Sequence, residues 1–187
     1  MSDEANQRSL IRLEEALRLH EIDASVFAPF VIARLRTRPD DTETELVVRI
    51  KEVSAREERS VPVRLQWDMQ SAFTQPVAVQ ERVLTEWAAL GIACVLLPAL
   101  LGVRIVSVAV EGERFDYLVS DGINEWGLEI SGTMTEDEGD LQERLRLKMR
   151  QLQDNPYGMM GYVVVAAFVR REALISLPDR ANPEETE

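Results

Sequence analysis

Between Phe115 and Gly132 the chain reads FDYLVSDGINEWGLEISG, two alternating segments about a turn signal. Placing the turn on Asp121-Gly122-Ile123-Asn124 sets Ser120 opposite Glu125 and, counting outward, Asp116 opposite Glu129. In this register Phe115, Tyr117 and Val119 share a face with Trp126, Leu128 and Ile130. That face is apolar throughout, and a slip of one residue would turn it inside out. The other face holds Asp116, Gly127, Glu129 and Ser131. Directly opposed carboxylates, with Cβ atoms roughly 5 Å apart, destabilise a sheet. A cation or a raised pKa has to offset them, and a divalent metal with oxygen ligands is the simplest candidate. A solvated polar face in another register is the plainer alternative.

The next segment, LQERLRLKMRQLQ, has a helical stripe of Leu141, Leu145 and Leu152. Lys148 falls inside that stripe. If the stripe packs on the sheet, the ammonium points at the sheet and needs an anion; otherwise it snorkels to water along the helix edge. Gln151 lies at the edge of the same face. An earlier helical pattern runs from Val77 to about Leu90, with room to continue to Leu97. Its apolar stripe is Val79, Val83 and Leu90, and Glu86 interrupts it by angle.

The remaining segments fill in a mixed chain. Ser9 to His20 reads as an amphipathic helix capped by Ser9. Phe30–Arg38, Glu45–Val53 and Val61–Trp67 alternate with period 2, separated by Pro39-Asp40-Asp41 and the charged stretch 55–60. They predict a three-stranded antiparallel meander with one charged face, whose arginine stripe is either solvated or touches an anion. Gly102–Val110 is a β-branched strand. Gly161–Val169, GYVVVAAFV, is continuously apolar, as for a strand covered on both faces. Ala173–Leu177 is a short last strand. Residues 1–8 read as frayed and 179–187 as a disordered acidic tail. The expected organisation is a helix plus meander over 1–75, an α/β core over 76–178, and the tail.

Composition bounds the function. The formal charge is −12, with 33 acidic residues against 21 basic ones, so a chain that grips nucleic acid by a broad basic face is excluded. Nucleic acid is reached only through a local patch or a protein partner, which a basic surface would suit. Lys51 and Lys148 are the only lysines. A single Cys94 rules out an intrachain disulfide, and a single His20 a histidine-rich metal site. The polar, acidic start predicts no signal peptide and a cytoplasmic location. Trp87 to Val103 carries no charge over 17 residues but includes Pro98 and two glycines. It is expected to be a buried helix running into a buried strand, with no membrane span.

The order helix, strand, strand, strand, helix, strand over about 77–169, with Asp116, a spacer of 12 residues and then Glu129-Ile130-Ser131, resembles the PD-(D/E)XK nuclease superfamily. The resemblance implies a restriction-endonuclease-like core. It implies Mg²⁺ or Mn²⁺ held by Asp116 and Glu129, and metal-dependent hydrolysis of phosphodiesters. Glu86 resembles the acidic residue that some members carry on the first core helix, which would make it a further metal ligand. Gln151 resembles the helical glutamine of RecB-like members. Ser131 stands where the family motif has a lysine, and Lys148 fits the members in which that lysine has moved to the next helix. Two other functions remain open: a catalytically silent interaction subunit on the same fold, and an acidic inhibitor or immunity-type protein whose charge is its working surface.

Overall fold

The computed structural model describes residues 9–52, 57–75 and 78–178. The expectations for 1–8 and 179–187 lie outside these residues, as does Val77; residues 78–80 are not helical, so the first core helix begins at Glu81 and Val79 of the expected stripe precedes it. In chain order the elements are β1 (Ser9–Arg12), α1 (Leu13–Leu17), α2 (Ala28–Leu35), β2 (Glu43–Glu52), β3 (Glu57–Gln66), α3 (Glu81–Leu101), β4 (Arg104–Val108), β5 (Tyr117–Ser120), β6 (Glu125–Thr133), α4 (Glu138–Gln153), β7 (Gly161–Ala167) and β8 (Glu172–Ser176). The strands form one 8-stranded mixed sheet in the order β1-β3-β2-β8-β7-β6-β5-β4. The β1–β3, β2–β8 and β6–β7 pairs are parallel and the others antiparallel.

Helices cover both faces. On one face α1, α2 and α3 pack over Leu128, Ile130, Val164, Ala166 and Ile175. On the other, α4 lays Leu141, Leu145 and Leu152 over Val163, Val165, Ala167 and Leu174. Both faces of β7 are therefore buried along its whole length, as its unbroken apolar run requires. The helix α3 is long and apolar enough to cross a bilayer by length and composition. In this fold its residues from Ala88 to Leu97 are buried under the sheet and against α1 and α2. Gly102, at φ +69, closes it in the left-handed conformation that suits glycine.

The first third of the chain departs from expectation. Phe30–Arg38 is not a strand. Ala28, Val31, Ile32 and Leu35 are buried at helical spacing, Pro29 sits in the first turn, and the segment folds as α2. The alternation of Arg34, Arg36 and Arg38 is real, but only Arg34 lies on α2, where it is bonded to α3, and the other two fall beyond the helix end. Ser9–His20 is not a single helix either. Residues 9–12 pair as a parallel edge strand with β3, and the helical part shrinks to α1. Only the second and third strands of the expected meander exist, as the β2–β3 hairpin, and β3 reaches back into the charged stretch to Glu57. The hairpin does not sit beside the core sheet. Through the β2–β8 pair it belongs to it, and the sheet runs continuously across the expected boundary at 75/76.

The charged face of that hairpin is largely satisfied from within. Arg49 donates to Glu58, Glu138 and Glu172, and Arg170 to Glu138 and Glu172. Lys51 donates to Gln142 at 2.5 Å. This network ties β2 and β8 to the first turns of α4. Asp137 caps α4 by accepting from the Asp140 N–H at 2.9 Å. At its other end buried Asn155 bonds four backbone groups and turns the chain into β7. The helix is thus fixed at both ends over β6.

Close backbone approaches set the spacing around β6. A Cβ on Gly161 would lie 2.1 Å from the Gly127 carbonyl oxygen, and one on Gly132 would lie 2.4 Å from the Thr85 carbonyl oxygen. Backbone cannot yield as a flexible side chain can. Gly161→Ala and Gly132→Ala should each cost about 3 kcal/mol, the upper part of the overpacking range. Urea denaturation of the single variants checks this.

Candidate functional site

The strand β6 is longer than its neighbour β5. Only Glu125 to Leu128 pair with β5, while Gly127 to Thr133 pair with β7 on the other side. Past Leu128 the β5-side edge of β6 is open, and its amides need partners. Carboxylates supply them. The Ile130 N–H donates to Asp116 Oδ2 at 2.9 Å, and the Gly132 N–H donates to Glu86 Oε2 at 3.1 Å.

The expected register holds through Ser120↔Glu125 and Tyr117↔Leu128. Asp116 lies one step beyond the last rung. There its N–H bonds Leu128 O at 2.9 Å and its carboxylate turns along the edge to Ile130. The departure from the ladder also moves Phe115. Instead of joining Tyr117 and Val119 on the α3 face, it packs with Leu141, Leu145 and Leu152 on the α4 face. Gly127 makes room for it, since a Cβ there would lie 3.2 Å from the Phe115 ring.

Glu129 is the centre of the site. Its side chain is 0% exposed, on the face of β6 that α4 covers. Lys148 Nζ donates to Glu129 Oε2 at 2.5 Å, and Gln151 Nε2 donates to Oε1 at 2.7 Å. The same ammonium lies 4.0 Å from Asp116 Oδ2 and donates to Gln151 Oε1 at 3.3 Å. Lys148 therefore points at the sheet and bridges the two carboxylates. Asp116, Glu129, Lys148 and Gln151 form one cluster. Ser131 lies two residues further on the same face, where its hydroxyl accepts from Arg144 Nη1 at 3.2 Å.

Glu86 stands apart from this cluster, one amide further along the edge. Among the described residues no three histidine, cysteine or acidic side chains gather as a metal-binding group. A ligand set of Asp116, Glu129 and Glu86 is not assembled; the first two alone share a cation.

Burial pushes the Glu129 carboxyl up to about 7, the largest influence, opposed by the Lys148 hydrogen bond and reinforced by the Asp116 charge. Two further basic groups in this neighbourhood are not among the expected site residues. Arg144 sits one turn before Lys148 and so shares its face, a spacing that could have exposed it. Arg34 was hidden by the expectation of a strand. It lies on α2, where its Nη2 donates to Glu81 and to Thr85 Oγ1 at 2.7 Å.

The raised carboxyl has a definite sign. Between about 4.5 and 7 the folded protein holds a proton on Glu129 that the unfolded chain has lost. The stabilisation from this group is full below the lower value and is lost as pH rises through the upper one. His20 works in the opposite sense, because burial lowers its pKa, so the difference between two variants is the useful measure. Relative to wild type, Glu129→Gln should gain roughly 2 kcal/mol of stability between pH 5 and 8. Thermal or urea unfolding of both proteins across that range reads the effect, and parallel curves would refute it.

No family model, curated protein or solved structure matches this chain, so its chemistry rests on the geometry of the β6 edge.

Proposed function

We propose that this chain is a metal-dependent phosphodiester-hydrolysing subunit of the PD-(D/E)XK kind, acting on nucleic acid within a larger assembly. The observation that carries the reading is the buried Glu129, sharing Lys148 with Asp116 at the open edge of β6. Two further features support it. In the sequence α3, β4, β5, β6, α4, β7, the strands lie in the spatial order β4-β5-β6-β7 with only the last pair parallel. Glu86 and Gln151 also lie on the two helices that the resemblance assigns them to.

The residues fit a small hard cation. Asp116 and Glu129 are both oxygen donors, and the one cation now between them is an ammonium. Magnesium is commonly held by one or two carboxylates, with water and substrate phosphate completing the shell, so a third protein ligand is not required. When bound, Mg²⁺ or Mn²⁺ would supply an acidified water and stabilise charge on the phosphate. The chain's own groups do the rest. The Ile130 amide orients Asp116. Gln151 holds one oxygen of Glu129 and so fixes the orientation of the other, which accepts from Lys148. The Lys148 ammonium gives two of its three N–H groups to Glu129 and Gln151, and the third remains to reach a phosphate oxygen. The charge of −12 is the reason for placing the subunit in an assembly, since a polyanion is poorly held by an acidic protein alone.

A silent interaction subunit on the same fold is favoured by one specific observation. Both oxygens of Glu129 already have donors, and Ser131 occupies the motif's lysine position with Arg144 as its partner. Such a site is satisfied without catalysis.

The purified chain, with labelled single-stranded DNA, duplex DNA and RNA in Mn²⁺, separates these readings. For an active site, wild type cuts at least one of them and Glu129→Gln cuts none, while remaining folded. For a silent site, neither cuts, and Mn²⁺ raises the melting temperature of wild type only. Absence of both cleavage and metal-dependent stabilisation overturns the metal site. A sub-micromolar, steeply salt-dependent affinity of the isolated chain for duplex DNA would overturn the assembly.

A further inference from the structure

A cleft of about 480 Å³ opens at the end of β6, where α3 on one face and α4 on the other come together. Three arginines line it, from three helices: Arg34 of α2, Arg82 of α3 and Arg144 of α4. Only two acidic residues, Glu81 and Glu86, share the lining. In a chain with 33 acidic residues, a cleft with a net positive lining is unusual.

The two acids are already engaged. Glu81 Oε2 accepts from Arg34 Nη2 at 2.6 Å, and Glu86 accepts from the Gly132 amide. Arg82 and Arg144 are exposed, and among the described residues neither has a carboxylate within ion-pair distance. Arg144 makes a single bond to the neutral Ser131 hydroxyl. Arg34 is different. Its side chain is only 10% exposed, and its Nε–H is buried without a partner. Two unpaired guanidinium groups facing one cleft, backed by a third with donor capacity to spare, match the planar, multidentate recognition of phosphate.

Position fixes which phosphate. Ser131, the partner of Arg144, is two residues along β6 from Glu129, about 6.6 Å of strand. The cleft therefore continues the Asp116–Glu129 site along the same edge. Its volume falls in the small-molecule range of about 300–1,000 Å³, enough for a nucleotide of one strand.

We infer that this cleft holds a backbone phosphate of a single nucleic-acid strand, next to the phosphate presented to Asp116 and Glu129. The inference rests on the reading of that site as one that works on nucleic acid. Arg82 and Arg144 supply the charge-assisted bonds. Arg34 is a positioning residue that fixes the start of α3 through Glu81 and Thr85.

The test is fluorescence anisotropy of a labelled oligothymidylate with the full-length chain in EDTA, over a range of salt. Two variants are compared with wild type: Arg82→Ala/Arg144→Ala, and a control pair Arg59→Ala/Arg104→Ala at exposed positions outside the cleft. Arg34 is left intact because its loss threatens the fold. Removing Arg82 and Arg144 should weaken binding at least tenfold and flatten the slope of log K against log salt by about 0.7, the value for one lost phosphate contact on a single strand. The control pair should weaken binding by less than threefold. Equal losses in the two arginine pairs, or no loss at Arg82/Arg144, overturn the inference. Failure of the site reading looks different: Mn²⁺ neither stabilises nor activates wild type, while the Arg82/Arg144 loss persists and the strand-binding cleft stands without hydrolysis.

Discussion

A carboxylate with no exposed surface has to be matched by its neighbours, and the arrangement around Glu129 follows from that requirement. An unpaired buried ion costs several kcal/mol, so it keeps its charge only where donors reach both oxygens. Lys148 and Gln151 do so from one face of α4. The helix cannot rotate or slide without breaking these bonds, and Leu141, Leu145 and Leu152 of the same helix pack in the same register. The N-terminal clamp of Arg49 and Arg170 on Glu138 and the C-terminal turn at Asn155 fix what remains of its freedom. Yet an ion pair of this kind is weak evidence for stability, since an apolar replacement of similar volume is often as good. Its placement beside a second carboxylate at an open strand edge is what gives it chemical meaning.

That edge exists because β5 stops short. With β5 limited to Tyr117–Ser120, the amides of Ile130 and Gly132 lose the partner strand that would have bonded them. Asp116 and Glu86 take its place, one from the end of β5 and one from α3. Gly132 lets α3 come close enough for this, because any side chain there would strike the Thr85 carbonyl. A row of backbone donors thus aligns acidic groups along one line. Strand termination, close helix packing and the placement of charge are one structural event.

The sequence made this neighbourhood legible where short-range periodicity governs. The register about residues 121–124, the lysine set in an apolar stripe and the acidic residue in the α3 stripe all follow from periods of 2 and 3.6 residues. Where two periods compete, the reading went astray. In 28–38 arginines alternate while Ala28, Val31, Ile32 and Leu35 keep helical spacing, and burial follows the apolar set. Phe115 changed faces because one residue leaves the ladder, an event that alternation alone does not report. The β2–β8 pairing joins segments more than a hundred residues apart, and no local pattern encodes it. The arginine cleft is of this second kind, since Arg34, Arg82 and Arg144 come to one cleft only when the sheet holds three helices around the end of β6.

The charge balance separates two scales of electrostatics. Over the whole surface an excess of acid repels a polyanion and slows its approach. Within the cleft, the exposed guanidinium groups of Arg82 and Arg144 stand beside the nearly buried Arg34, and a charge-assisted, bidentate bond to phosphate acts over a short range that the overall charge does not govern. A chain built this way gains little from long-range attraction and much from a strand already delivered to it. On the proposed reading, delivery of the strand falls to another, more basic surface. The local chemistry of β6 and the global charge of −12 would then reflect a division of labour between this chain and a partner.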